Sequence, residues 1–203
     1  MPNPATPTAI GAALPSRLPQ ESATIVGLGA VGRQVALHLT ALGIRRLRLV
    51  DDAVVLAGDV AGGFRAHDVG RPRADAVLGA CFERVPLLLD GESHIDTFPA
   101  APLGSILICE GDAARLLSLS AVNSTTFCGA AYVTDQSVHV ATRIGGVPAP
   151  HQSSSTTAPS YAAGFAAALL VRQYLRHLSG RPLDAATVFD LEAGSYAAGS
   201  SHD

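Results

Sequence analysis

The sequence predicts a single α/β domain, a mostly parallel sheet flanked by helices with an antiparallel C-terminal part. Three observations carry that prediction. Residues 24–52, TIVGLGAVGRQVALHLTALGIRRLRLVDD, read in order as a strand, a glycine-rich turn, a helix and a second strand ending in acid. Two apolar stretches, TTFCGAAYV and QSVHVATRI, are joined through a polar turn at Thr134 and Asp135, the pattern of a hairpin, so the sheet is not purely parallel. The alanine-rich stretch 161–178 has the pattern of a strong helix, and 185–191 returns as an edge strand.

Composition sets the bounds. A chain of 203 residues with 48% hydrophobic and 15% charged residues fits one domain of ordinary size with an ample core. Residues 1–20 read as a Pro/Ala-rich arm without the basic and apolar regions of a signal peptide, and 21–203 as the domain, with a Gly/Pro/Ser/Thr-rich flexible loop over 145–160. No apolar run approaches the ~18 residues of a membrane span. A formal charge of −3 offers no electrostatic case for nucleic acid, and the Arg45, Arg46 and Arg48 cluster reads as solvated or paired. Cys81, Cys109 and Cys128 are an odd, widely spaced set without a C-x-x-C pair, which argues against zinc and for a reduced, cytoplasmic setting. All 14 basic Lys/Arg positions are arginine, which excludes any mechanism requiring a lysine of this subunit.

Within 24–52 the glycines have separate tasks. Gly27 makes the tight turn, Gly29 admits close backbone approach to a phosphate, and Gly32 allows the helix to pack against the strand. Phosphate would then lie on free backbone N–H groups at the helix N-terminus, near Ala30, where the peptide dipoles favour negative charge. Asp51, followed by Asp52, falls close to the ~20-residue spacing at which a strand-end carboxylate reaches ribose hydroxyls. The competing reading of a lone G-x-G-x-x-G is a tight strand-to-helix connection. The context favours a nucleotide site of Rossmann-like type: Val31, Val35, Ala36, Leu39 and Leu42 recur at helical spacing, and Gly43 stops the helix.

Beyond Asp52 a glycine-interrupted loop leads to DVGRPRADAVLGACFERV, where Asp68 is expected to cap a helix with Pro72 in its first turn. Residues 85–89 read as a buried strand, 91–103 as mixed with room for a short strand, 105–109 as a stronger strand and 114–123 as a short helix.

The order GLGAVG, LGIRRLRLVDD and DVGRPRADA, continued by SILICEGDAARLLSLSAVN, resembles the ThiF/MoeB/HesA superfamily, bacterial relatives of ubiquitin-activating enzymes. The resemblance covers residues 22–144 well and the C-terminal helix and strand more loosely. It implies a dimer, with itself or another ThiF-like chain, that binds ATP with magnesium and adenylates the C-terminal carboxylate of a small protein or peptide. It also implies that Gly27, Gly29, Ala30 and Gly32 line the phosphate turn and that Asp51 and Asp52 lie at the ribose. Arg73 stands where the family has a phosphate-binding lysine, and Glu110 where it has a magnesium-associated aspartate; these two are the candidate catalytic residues, with Glu110 the candidate magnesium ligand.

Departures fall on the chemistry. The second strand-end acid is Ala53, and the family's Asn-x-x-Arg-Gln appears as DVAGG, with Asp59 for asparagine and Gly62 and Gly63 for arginine and glutamine. The asparagine after the magnesium acid is Gly111. Removing a preorganised cation or donor from such a site typically costs ~10²–10³ in rate, and a guanidinium does not reproduce a lysine point charge. His151 reads as an unliganded loop histidine, His38 as a surface histidine off the Val31/Val35 face, and Ser153 to Thr157 as hydroxyls lacking a positioned base. The leading expectation is a shortened, degenerate family member acting as a partner or scaffold. The second is an active adenylyltransferase completed by a partner or by Arg17 or Arg65, and the weakest is a nicotinamide-dependent oxidoreductase.

Overall fold

The structure, a computed structural model, describes residues 18–84, 90–94, 104–109, 127–134, 137–144 and 160–199. Strand β1 (Ser22–Val26) is followed by helix α1 (Ala30–Ala41), β2 (Arg46–Val50), α2 (Arg73–Arg84), β3 (Asp90–His94) and β4 (Ser105–Ile108). The chain continues with β5 (Phe127–Val133), β6 (Ser137–Ile144), α3 (Ser160–Leu178), β7 (Ala186–Asp190) and β8 (Ser195–Gly199). The described strands form one sheet in the order β3-β2-β1-β4-β5-β6-β7-β8. From β3 to β5 neighbours are parallel, and from β5 onward they are antiparallel. The connections fit this mixture: the crossover helices α1 and α2 permit the parallel pairs β1–β2 and β2–β3, whereas the short link after Val133 permits only a hairpin.

Because side chains alternate across a strand, the sheet sorts its aliphatics to two faces. Ala23, Ile25, Leu47, Leu49 and Leu107 join the large core with the inner faces of the helices, while Val26, Val50, Ile106, Ile108 and Cys128 form a second buried cluster. Helix α1 buries Val31, Val35, Ala36 and Leu39 and ends where Gly43 takes φ +95°, with the Ile44 N–H donating to the Leu39 carbonyl. Helix α3 packs on α1 and β5. It approaches β5 so closely at Gly129 that a Cβ there would lie 2.5 Å from Leu170 Cδ1. Just before β1, Leu18 is buried in the same core.

Two expectations need correction, the edge strand at 185–191 and the start of α2: β7 is not an edge, because it pairs with β6 on one side and β8 on the other. Asp68 does not cap α2; it closes a 3-10 turn (Ala66–Asp68), where its Oδ2 accepts the Arg65 N–H at 3.3 Å. The helix begins later because Val55 N–H donates to Arg71 O, Gly70 N–H to Val55 O and Arg73 N–H to Ala53 O, each at 2.9 Å, pinning 70–73 alongside 53–55. Beyond α2 the described strand lies at Asp90–His94, so the short strand expected within 91–103 is present, while 85–89 lies outside the described residues. Also outside are the helix expected at 114–123 and the loop of 145–160, apart from Ser160, which opens α3.

Candidate functional site

The glycine turn sits at the carboxyl end of β1, where the chains leaving β1 and β4 diverge: α1 leads to β2 on one side, and β4 is followed by β5 on the other. Such a switch point creates a crevice in an open α/β sheet. Gly27 has φ +81°, in the left-handed region that a side chain resists, and its N–H donates to Val50 O at 2.9 Å. A Cβ on Gly32 would fall far inside the Gly27 carbonyl and 3.1 Å from Cys109 Cβ, so only glycine lets α1 meet β1 and β4 here. At Gly29 a Cβ would meet nothing within 4 Å. Gly29 is also the N-cap residue of α1 and contributes no side-chain cap, leaving the first-turn N–H groups free of such a partner. This end of α1 can therefore receive an anion.

Asp51 lies beside the same turn, at 4% exposure. Its Oδ2 accepts the Leu28 N–H at 2.5 Å and its Oδ1 the Ala53 N–H at 2.8 Å. The carboxylate thus ties the end of β2 to the middle of the glycine turn, using both oxygens on backbone donors. Asp52 is exposed at the rim.

The loop after β2 folds back onto α1. Its 3-10 turn (Ala57–Val60) is closed by Asp59, whose Oδ2 accepts the Leu56 N–H at 2.8 Å. The same carboxylate holds Arg73 as a fork: Nη2 donates to Oδ2 at 2.8 Å and to Oδ1 at 3.0 Å, and Nε to Oδ2 at 3.2 Å. With side-chain exposures of 20% and 15%, the pair is partly withdrawn from water. A Cβ on Gly62 would lie 3.2 Å from Ala30 Cβ, and Gly63 has φ +105° with Arg33 Nη1 only 3.0 Å from its own Cβ direction. Arg33 rests over the ring of buried Phe64, 5.5 Å from its centroid. Burial, followed by the nearby Arg65 and Arg84 cations, lowers the Arg33 pKa.

Two further loop arginines meet acids. Arg65 forks onto Glu83, with Nη1 at 2.6 Å from Oε1, and Arg71 Nη1 lies 3.0 Å from Asp68 Oδ1. The Glu83 bond raises the Arg65 pKa and holds the Glu83 carboxyl below its ordinary range, although both side chains are solvent-exposed.

The remaining candidates distribute differently. Glu110, Arg17, His151 and the hydroxyls of 153–157 lie outside the described residues, and among the described residues no group of three or more His, Cys, Asp or Glu could hold a metal ion. His38 belongs to the last turn of α1, about 12 Å along the helix from Ala30 at ~1.5 Å per residue. It is half-buried rather than fully exposed, and desolvation first, then Arg84, lowers its pKa. All three cysteines are buried, and burial pushes Cys81 up and Cys128 up to about 12, so neither offers a thiolate nucleophile. In the hairpin after β5, sequence reading missed a cluster: Ser137 Oγ lies 2.6 Å from His139 Nε2 and 2.8 Å from Thr134 Oγ1, with the His139 ring stacked on Tyr132 at 4.6 Å. The Asp59–Arg73 fork was missed as well. Its signal was present, since an acid and a larger cation replace the family's residues at two positions that the turn brings together.

Residues 5–89 match the model of the ThiF family. No curated protein sequence matches the chain. Among solved structures the chain is similar to MccB of E. coli with ATP, at 13% identity and a TM-score of 0.78, covering 93% of this chain and 66% of that one. A structure of the microcin C7 biosynthetic enzyme MccB with N-formylated MccA gives 12% identity, a TM-score of 0.77 and coverage of 93% and 67%. PaaA gives 15%, 0.76, 93% and 66%. The chain thus spans about two thirds of the length of these structures. No helix among the described residues is long and apolar enough to cross a membrane. The matched residues hold the glycine turn and the acid-ended second strand, and the fold of the chain is the Rossmann-like α/β fold of MccB and PaaA.

Proposed function

We propose that this protein is a nucleotide-binding, non-catalytic ThiF-like subunit, paired with a second copy or another ThiF-like chain, that serves a system activating the carboxylate of a peptide or small protein. The observation that carries the reading is the Asp59–Arg73 fork. Adenylation develops negative charge on a phosphate and releases pyrophosphate, so it needs cations aimed at the reacting phosphates. Here Arg73 is engaged by a carboxylate, and Gly62 and Gly63 supply no side chains. What remains is the α1 N-terminus with open space at Gly29, which suits binding more than turnover. The solution of MccB structures with ATP and with MccA supports nucleotide and peptide as ligand classes for this fold. Magnesium would come with the nucleotide, and Glu110 is the proposed residue for it. Cytoplasmic location is part of the same proposal.

Calorimetry with ATP, followed by ATP–pyrophosphate exchange with candidate peptides, tests the reading. Binding without exchange is the expected result. Robust exchange by the single purified chain, abolished by Arg73→Ala, overturns it in favour of an active adenylyltransferase. Exchange only after adding a second ThiF-like chain supports completion by a partner, and light scattering of the chain alone tests self-association.

A further inference from the structure

Resting on the nucleotide reading above, we infer that this crevice selects a ligand carrying a single phosphoryl group, a nucleoside monophosphate, over a triphosphate. The α1 N-terminus is the anion-binding element, and the equivalent of about half a positive charge there suits one phosphoryl group. Additional phosphates need side-chain cations. Three arginines of the adjoining segment are already matched: Arg65 by Glu83, Arg71 by Asp68 and Arg73 by Asp59. Arg33 is turned onto Phe64.

The Asp59–Arg73 pair matters most, because its loop is the one seated against α1: Gly62 packs at Ala30, and the Gly62 N–H donates to the Asp59 carbonyl at 2.9 Å. A β- or γ-phosphate reaching for Arg73 would have to displace Asp59 and would meet its negative charge on the way. Like charges at close range in a partly desolvated site repel strongly. Further phosphates, which add binding energy in a cationic site, therefore weaken binding here, whereas a monophosphate seated on the helix end is unaffected.

The experiment compares AMP with ATP by calorimetry, magnesium present throughout, on the wild-type chain and on Asp59→Asn. The substitution is isosteric, keeps an acceptor for the Leu56 N–H and frees the Arg73 cation. Wild type is expected to bind AMP more tightly than ATP. Asp59→Asn is expected to tighten ATP about tenfold and AMP less than twofold, a gain equivalent to about 1.4 kcal/mol. ATP binding as tightly as AMP or more tightly in wild type overturns the inference while leaving the nucleotide reading intact. An ATP-to-AMP ratio that shifts less than threefold in a folded Asp59→Asn protein does the same. Absence of binding by both nucleotides at millimolar concentration removes the nucleotide reading and this inference with it. If Asp59→Asn does not fold, the wild-type comparison decides alone.

Discussion

Replacing Asp51 by asparagine separates a ligand-binding carboxylate from a structural one. At 4% exposure Asp51 accepts the Leu28 N–H at 2.5 Å and the Ala53 N–H at 2.8 Å, one on each oxygen. Asparagine keeps the shape and one acceptor, but its amide NH₂ must then face the other backbone donor. One charge-assisted bond is lost outright, at about 1.5–3 kcal/mol, and the other weakens to a neutral one. The expected loss is about 2–3 kcal/mol. At roughly 2–4 °C per kcal/mol for a domain of this size, the Tm falls by about 5–10 °C. Urea unfolding followed by circular dichroism, without nucleotide, measures the effect. If Asp51 acted chiefly through a ribose hydroxyl, the nucleotide-free protein would lose less than about 0.5 kcal/mol and the cost would appear only in nucleotide affinity. That outcome refutes the tie between β2 and the glycine turn.

Further outcomes are expected at other positions. Gly32→Ala should cost about 3 kcal/mol or more, or prevent folding, because the added Cβ would enter the Gly27 carbonyl, part of a backbone that cannot move aside; a melting curve matching wild type would contradict the packing. Gly29→Val, where the Cβ meets open space, should leave the melt within about 1 kcal/mol yet abolish nucleotide binding, and retained affinity would show the turn to be structural only. Reinstating the family's residues as Gly62→Arg with Gly63→Gln should not restore pyrophosphate exchange and should destabilise by about 2 kcal/mol, since Gly63 has φ +105° and Gly62 is packed on Ala30; exchange gained by this double variant would show the loop to be adaptable. The Cys128 thiol, pushed up to about 12 by burial, keeps its proton in the folded state where the unfolded chain loses it. Its contribution to stability is complete below about pH 9 and is lost as pH rises toward 12, with a slope of up to about 1.4 kcal/mol per pH unit. Cys128→Ala should flatten that slope, and an unchanged slope would assign the alkaline loss elsewhere.

The order of strand, glycine turn, helix and acid was legible in the sequence because it is local: φ at Gly27, the helical period of Val31, Val35 and Leu39, and the stop at Gly43 are decided by neighbours along the chain. The mixed sheet was legible for the same reason, since too few residues separate β5 from β6 for a crossover. The polar β3, DGESH, lacks the apolar alternation of a half-buried strand, and backbone pairing with β2 defines it instead. The start of α2 was misread because backbone bonds pin 70–73 alongside 53–55, so the helix opens only at Arg73, a constraint that no cap residue advertises. Sequence alone singled out Asp51 and Arg73 as candidates and Asp59 as a departure from the family pattern, yet it could not say what each carboxylate faces. Only the tertiary structure turned Asp51 onto the backbone of the glycine turn and folded the 57–64 loop so that Asp59 meets Arg73. The physical reason is that a charged side chain's role is set by the partners within a few ångströms, and those partners come from segments distant in sequence.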